Sequence, residues 1–252
     1  PNRARQELWR TDGTSAGTTR LASFAVRPYS ERAFPIRAVG DRLHFLYRGT
    51  IWESDGSASG TQPLQPNPGV EILDLAATAS TLFALSLEPS SAAYTVWSWR
   101  PSAPGWEAIR QFDAAHGGQV RLSLGAVGEL LLFQAAEVID PGSGDPYETR
   151  LWRSDGTAPG TYRVPGAPPV SAWSDTPHFV ARGRFFFEGC DEDSGCELWS
   201  VDAVGTDPTR HGDLWPGPRG SDPRLIGSSA SAIYLSAVDP DVGREVWMIP
   251  RR

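Results

Sequence analysis

Short apolar runs alternate along this chain with polar stretches rich in glycine, proline, serine and aspartate. Five runs are apolar at successive positions: Arg42-Leu-His-Phe-Leu-Tyr47, Thr81-Leu-Phe-Ala-Leu-Ser86, Leu130-Leu-Leu-Phe133, Arg184-Phe-Phe-Phe187 and Ala232-Ile-Tyr-Leu-Ser236. Successive side chains of a strand point to opposite faces, so such a run predicts a strand covered on both sides. No segment sustains apolar spacing at i, i+3, i+4 and i+7 with a cap, and essentially no helix is expected.

After each run comes a segment carrying a tryptophan, and in three places the residues around it repeat. Glu7-Leu-Trp-Arg-Thr-Asp-Gly-Thr-Ser-Ala-Gly-Thr18 is nearly copied by Arg150-Leu-Trp-Arg-Ser-Asp-Gly-Thr-Ala-Pro-Gly-Thr161 and closely followed by Thr50-Ile-Trp-Glu-Ser-Asp-Gly-Ser-Ala-Ser-Gly-Thr61. Weaker versions surround Trp97, Trp199 and Trp247. The six tryptophans Trp9, Trp52, Trp97, Trp152, Trp199 and Trp247 lie 43, 45, 55, 47 and 48 residues apart. A period in the forties marks a repeat architecture whose units pack on their neighbours.

Aligned on the tryptophans, the unit has four strands. Strand A is a short extended run such as Asp222-Pro-Arg-Leu-Ile-Gly227 or Thr176-Pro-His-Phe-Val-Ala181. Strand B is the apolar run and strand C carries the tryptophan, which is expected to pack between units. Strand D follows the Asp-Gly turn, with an apolar residue twelve positions after the tryptophan at Leu21, Leu64, Ile109 and Val164. Four strands per forty-odd residues, apolar on both faces, predict an all-β propeller of four-stranded antiparallel blades in one domain. The units fall at residues 6–24 (strands C and D), 32–66, 70–112, 119–165, 175–214 and 222–250 (strands A to C). Six blades is the expected number, this chain covering most of the ring; five and seven are the alternatives. The chain begins at Pro1, within a repeat, which implies an upstream segment.

Within the turn, Asp12, Asp55 and Asp155 can accept from backbone N–H groups two residues on. Gly13, Gly56 and Gly156 can take positive φ. Thr18, Thr61 and Thr161 can close the turn through their hydroxyls. A calcium reading fails on ligand number, because one aspartate and two hydroxyls per turn are too few. The third copy departs further, with Arg100 at the aspartate position and Trp106 at the threonine position.

Composition narrows the setting. Gly and Pro together make 48 residues spread between the apolar runs, which reads as many tight turns. A net charge of −7 argues against nucleic-acid binding, and no apolar run is long enough to span a membrane. All 23 basic residues are arginine. Cys190 and Cys196, six residues apart across a turn, are placed to form a disulfide, which would locate the protein outside the cytosol.

The repeat resembles that of the ELWxxDGT repeat proteins, and Asp213-Leu-Trp-Pro-Gly-Pro-Arg-Gly-Ser-Asp-Pro223 is similar to that family's linker between strands D and A. The resemblance implies a secreted or surface-displayed bacterial protein of propeller architecture. It implies no chemistry.

Binding on a rigid scaffold usually lives in variable loops. Here those are the B–C and D–A loops. Asp140 and Asp145 lie in the longest one, and Tyr147, Trp173 and Trp215 are aromatic candidates for stacking on a ligand. Asp191, Asp193, Asp239 and Asp241 are weak calcium candidates on the same face; no other metal or cofactor is expected. No nucleophile elbow, phosphate loop or selected carboxylate pair is evident. The sequence therefore predicts a monomeric, non-enzymatic binding or adhesion module for glycan or protein. A propeller-fold glycan-processing enzyme and a purely structural surface array are the alternatives.

Overall fold

The computed structural model describes residues 5–25, 36–88, 90–113, 120–138, 147–170 and 179–250. Among them are twenty-one strands and no helix. The first sheet pairs β1 (Arg5–Arg10) with β2 (Thr19–Ala25). The second runs β3 (Ile36–Val39), β4 (Arg42–Tyr47), β5 (Thr50–Ser54), β6 (Gln62–Pro63). The third runs β7 (Ile72–Ala77), β8 (Leu82–Glu88), β9 (Ala93–Trp99), β10 (Glu107–Asp113). In the fourth are β11 (Val120–Val127), β12 (Leu130–Val138), β13 (Tyr147–Ser154) and β14 (Tyr162–Arg163). The fifth has β15 (Phe179–Ala181), β16 (Arg184–Asp191), β17 (Gly195–Asp202) and β18 (Thr209–Arg210). The sixth has β19 (Arg224–Ser228), β20 (Ala232–Asp239) and β21 (Gly243–Pro250).

Every sheet is an antiparallel meander, and successive sheets pack face to face. Strand B shows why. In β8, Leu82 and Ala84 enter a core with Val39, Ile51 and Leu64 of the second sheet, while Phe83 and Leu85 enter the core containing Leu131 and Phe133 of the fourth. In β16, Phe185 and Phe187 face the fourth sheet, and Phe186 packs with Ile233 and Leu235 of the sixth. A strand apolar at every position is thus one whose two faces serve two neighbours. The first strands β3, β7, β11 and β15 lie against one another in succession and form the inner wall. This is the arrangement of β-propeller blades.

Among the described residues, β1 and β21 pair only within their own sheets. Trp9 is accordingly 53% exposed, and Val246 and Met248 of β21 are exposed as well. One boundary differs from expectation. Asp222 adopts a positive φ of 45° before β19, which begins at Arg224 and continues through Ser228. The Asp222 carboxylate bonds Arg224 and Arg244, so this residue closes the linker instead of opening the strand.

Meander topology gives the fold two ends. The A–B and C–D turns share one, here the turn face; the B–C and D–A connections share the other, the loop face.

Candidate functional site

The repeated turn is a closed hydrogen-bond circuit in all three strong copies. In the second sheet, Ser57 donates through its N–H (2.8 Å) and hydroxyl (2.7 Å) to Asp55 Oδ1, and Ser57 Oγ accepts from Gly60 N–H at 2.9 Å. Thr61 donates its hydroxyl to Ser57 O at 2.7 Å, so its Oγ accepts the Ser54 hydroxyl, which itself accepts from Gly56 N–H. The same bonds join Thr11, Asp12, Thr14, Gly17 and Thr18. They recur among Ser154, Asp155, Thr157, Gly160 and Thr161. Gly13, Gly56 and Gly156 take φ of 91°, 85° and 86°.

The Thr14 hydroxyl and N–H hold the Asp12 carboxyl below its ordinary pKa, and Ser57 does the same for Asp55. At Asp155 burial pulls upward, but the Thr157 hydroxyl and N–H outweigh it and the carboxyl is again lowered. In each turn the N–H and hydroxyl of one residue converge on Oδ1 of the aspartate. The turns also join sheets: Arg10 donates to Gly56 O at 3.1 Å, Arg100 to Asp155 O at 2.7 Å, and Ser98 to Gly156 O at 2.8 Å. Arg153 bonds Val204 O in the same way. Arg100, which replaces the turn aspartate in the third copy, reaches the carbonyl of the next turn's aspartate.

The tryptophans sit opposite strand B, as in the pairs Phe45–Trp52, Phe133–Trp152, Phe187–Trp199 and Leu235–Trp247. Trp52 also meets Phe24 of the first sheet edge-on, and Trp152 meets Phe112 of the third, with the Arg110 guanidinium 4.6 Å from its ring. These two rings occupy the joints between sheets. Trp97 packs beside the core between the second and third sheets, while Trp199 and Trp247 flank later ones. Trp9 differs: it is largely exposed, and its indole N–H donates to Glu7.

On the loop face, Cys190 and Cys196 pair directly across β16 and β17 and form a disulfide at the hairpin tip. The linker from the fifth to the sixth sheet lies against this tip so closely that a Cβ on Gly195 would fall 2.3 Å from Gly220 N. Ser221 N–H donates to Cys196 O at 3.0 Å, and Val238 N–H of β20 donates to Ser221 O at 2.7 Å. Ile72 N–H to Gly49 O and Val170 N–H to Thr149 O repeat the first bond, each on the residue three before a tryptophan. Beneath the linker, fully buried Glu197 accepts from Ser221 Oγ at 2.6 Å and Trp215 N–H at 3.3 Å. Burial raises its pKa. Sequence reasoning missed this role, although Glu197 precedes Leu198-Trp199 as Glu7 precedes Leu8-Trp9.

Trp215 is half-buried on this linker, with the Arg219 guanidinium 5.8 Å from its ring. Asp140, Asp145 and Trp173 lie outside the described residues; Tyr147 begins β13. The weak calcium candidates are not gathered. Asp191 accepts from Asp193 N–H, Ser194 N–H and Ser194 Oγ, which lower its pKa. Asp239 accepts from Asp241 N–H and Val242 N–H. Asp191 and Asp239 each close their own hairpin, and no group of three or more His, Cys, Asp or Glu able to hold a metal occurs among the described residues.

The turn face carries a feature no single segment announces. Between the fifth and sixth sheets opens a wedge of about 1130 Å³, lined by Arg182, Arg184, Arg210 and His211 on one side and Ile233, Met248 and Ile249 on the other. Arg184 is fixed by Ser200 Oγ (2.8 Å), Asp207 O (2.9 Å) and Thr209 Oγ1 (3.1 Å). Ser200 Oγ also lies 2.7 Å from His211 Nε2. That pair has nucleophile–base spacing, but Ser200 is wholly buried and its oxygen accepts from Arg184, so it serves as a strut.

No family model and no curated protein matches the chain. Among solved structures it is similar to a prolyl endopeptidase, at 10% identity and a TM-score of 0.53, over 92% of this chain and 35% of that one. It is also similar to a eukaryotic initiation factor, at 14% identity, TM-score 0.48, over 98% of this chain and 62% of that one. A chain of a nidogen/laminin complex aligns at 9% identity, TM-score 0.41, over 94% and 85%. The chain spans about a third of the endopeptidase and under two thirds of the initiation factor. At 10% identity the likeness to the endopeptidase shows the fold alone.

Proposed function

We propose that this chain is a non-enzymatic binding module that engages a glycan or protein through its loop face in an extracellular setting. One observation carries the reading: the hairpin tip at residues 190–196 and the linker at 213–221 are held as one body. The disulfide, the Gly195–Gly220 approach and buried Glu197 hold them. Binding favours a surface that is already ordered, because little conformational entropy remains to be lost. Trp215 and Arg219 then offer an aromatic face and a cation on that body, a pairing suited to a sugar ring or a polar peptide. The disulfide supports an oxidising compartment, and the resemblance to ELWxxDGT repeat proteins points to the cell surface.

The glycan-processing alternative would require two placed carboxylates. The wedge that gathers arginines has no carboxylate among its lining residues, which favours binding over bond cleavage.

The test is a glycan array together with pull-down on intact cell-surface material, using purified protein with and without chelator. The expected outcome is saturable retention on a defined glycan or surface protein, unchanged by chelator. Retention on neither would remove the proposal.

A further inference from the structure

Two positions in each sheet govern how it meets the next. One lies in strand B, immediately before the residue that pairs with the tryptophan: His44, Phe83, Leu132, Phe186 and Tyr234 in the second to sixth sheets. The other lies in strand C, immediately before the tryptophan: Ile51, Val96, Leu151, Leu198 and Val246. Alternation puts both on the sheet face opposite the tryptophan, here the forward face, which meets the following sheet. From the second sheet to the fifth, every one of these residues is buried. In the sixth, Val246 is 68% exposed and Tyr234 is exposed too. Met248 pairs with Tyr234, shares its face and is 56% exposed. The sixth sheet thus keeps the apolar residues of a joint on a face that stands open among the described residues.

The first sheet carries the matching half. A repeat tryptophan lies on the back face of its sheet, where Trp52 and Trp152 meet Phe24 and Phe112 of the sheet before. Trp9 is instead 53% exposed. The turn of the first sheet is open as well. A Cβ on Gly56 would lie 3.6 Å from Arg10 Cδ of the preceding sheet, and one on Gly156 would lie 2.6 Å from Arg100 Nη2. On Gly13 it would meet nothing within 4 Å among the described residues. Both halves of the joint are therefore exposed in one chain, and its own first sheet does not cover its sixth.

We propose that copies of this chain associate head to tail, the forward face of one copy's sixth sheet packing on the back face of the next copy's first sheet. The register positions identify the partner's chemistry. They are those that each inner joint fills with a sheet of the same repeat, and exposed apolar patches of this kind mark interaction surfaces. Met248 stands one residue after the tryptophan, where Arg10 and Arg153 stand in the first and fourth sheets, so this joint rests on apolar contact. The two faces differ, so a second copy leaves one of each open, and further copies add unless the rotation closes a ring. This association replaces the monomer expected from the sequence and is independent of the ligand proposed for the loop face.

Sedimentation equilibrium of the full chain from about 1 μM to about 1 mM tests it. Wild-type mass should rise with concentration beyond that of one chain. Val246→Glu destroys the forward face alone and Trp9→Glu the back face alone; both residues are exposed, and thermal melts check that each variant is folded. Each variant by itself should stay monomeric. An equimolar mixture should form a dimer of about twice the monomer mass and nothing larger, because only one intact face of each kind remains to pair. Wild type that stays monomeric throughout, by closing on itself or by not associating, overturns the proposal without recourse to any variant. So does association that survives in either folded variant alone, which would mean that like faces pair, and so does a mixture of folded variants that remains monomeric.

Discussion

Gly17, Gly60 and Gly160 illustrate what a residue type conceals. In the structure their backbone is ordinary, and the constraint is space: a Cβ on Gly160 would lie 2.0 Å from Asp155 Oδ1. The turn carboxylate lies directly over the glycine. Gly160→Ala must expel that carboxylate and break its two bonds to Thr157, so a loss of about 1–3 kcal/mol is expected, read as a lower urea midpoint. Gly105→Ala, where a Cβ meets nothing within 4 Å, is the control and should change little. Equal effects of the two would refute this account of the turn.

His44 is the second residue whose role only the fold reveals. It lies fully buried against Trp99, across the pair from Glu53, with Arg42 nearby, and neither ring nitrogen has a hydrogen-bond partner among the described residues. Burial pushes its pKa down, opposed by Glu53. The folded imidazole therefore stays neutral where the unfolded one takes a proton. Below about pH 6.5 the unfolded chain binds more protons, and stability falls as pH drops, by up to about 1.4 kcal/mol per pH unit. Asp12, Asp55 and Asp155 have lowered values, so their contribution is intact above about pH 4 and is lost as pH falls through their folded values. Urea midpoints between pH 3 and 8 should show both phases, and His44→Leu should remove the upper one alone. A variant profile that keeps the upper phase would contradict the assignment.

At the scale of elements, most of the strand order was legible. A run such as Arg184-Phe-Phe-Phe187 states that both faces are covered, and the tryptophan spacing states how often. The loop face was legible only as a place. What fixes it depends on Glu197 meeting Trp215 and Ser221, residues 18 and 24 positions away, and no local pattern signals that encounter. Glu197→Ala leaves a buried N–H and a hydroxyl without an acceptor and should lower stability by about 2–4 kcal/mol. Glu197→Gln keeps an acceptor for Trp215 N–H, and the Ser221 hydroxyl can turn to accept from the amide, so a loss under about 1 kcal/mol is expected. Chemical denaturation compares them; equal losses would mean that the charge, not the geometry, is what matters.

For the whole molecule, the division of labour between its two ends organises the rest. The repeat turns spend their polar groups on one another and on the next sheet, with Oδ1 of each turn carboxylate held by two donors. The sheets differ most where their ends differ, at the Cys190–Cys196 tip with its linker and at the Arg182 turn. The arginine wedge escaped sequence reading because its walls come from four separated segments of two sheets. The loop face remains the central functional claim. It is tested most directly by glycan-array binding of three proteins side by side: wild type, Trp215→Ala/Arg219→Ala, and Asp55→Asn. Wild type and Asp55→Asn should bind alike, and the loop-face variant, folded by its melt, should lose at least about tenfold in affinity. Retained binding by the loop-face variant, with loss in Asp55→Asn, would place the site on the turn face and contradict the account.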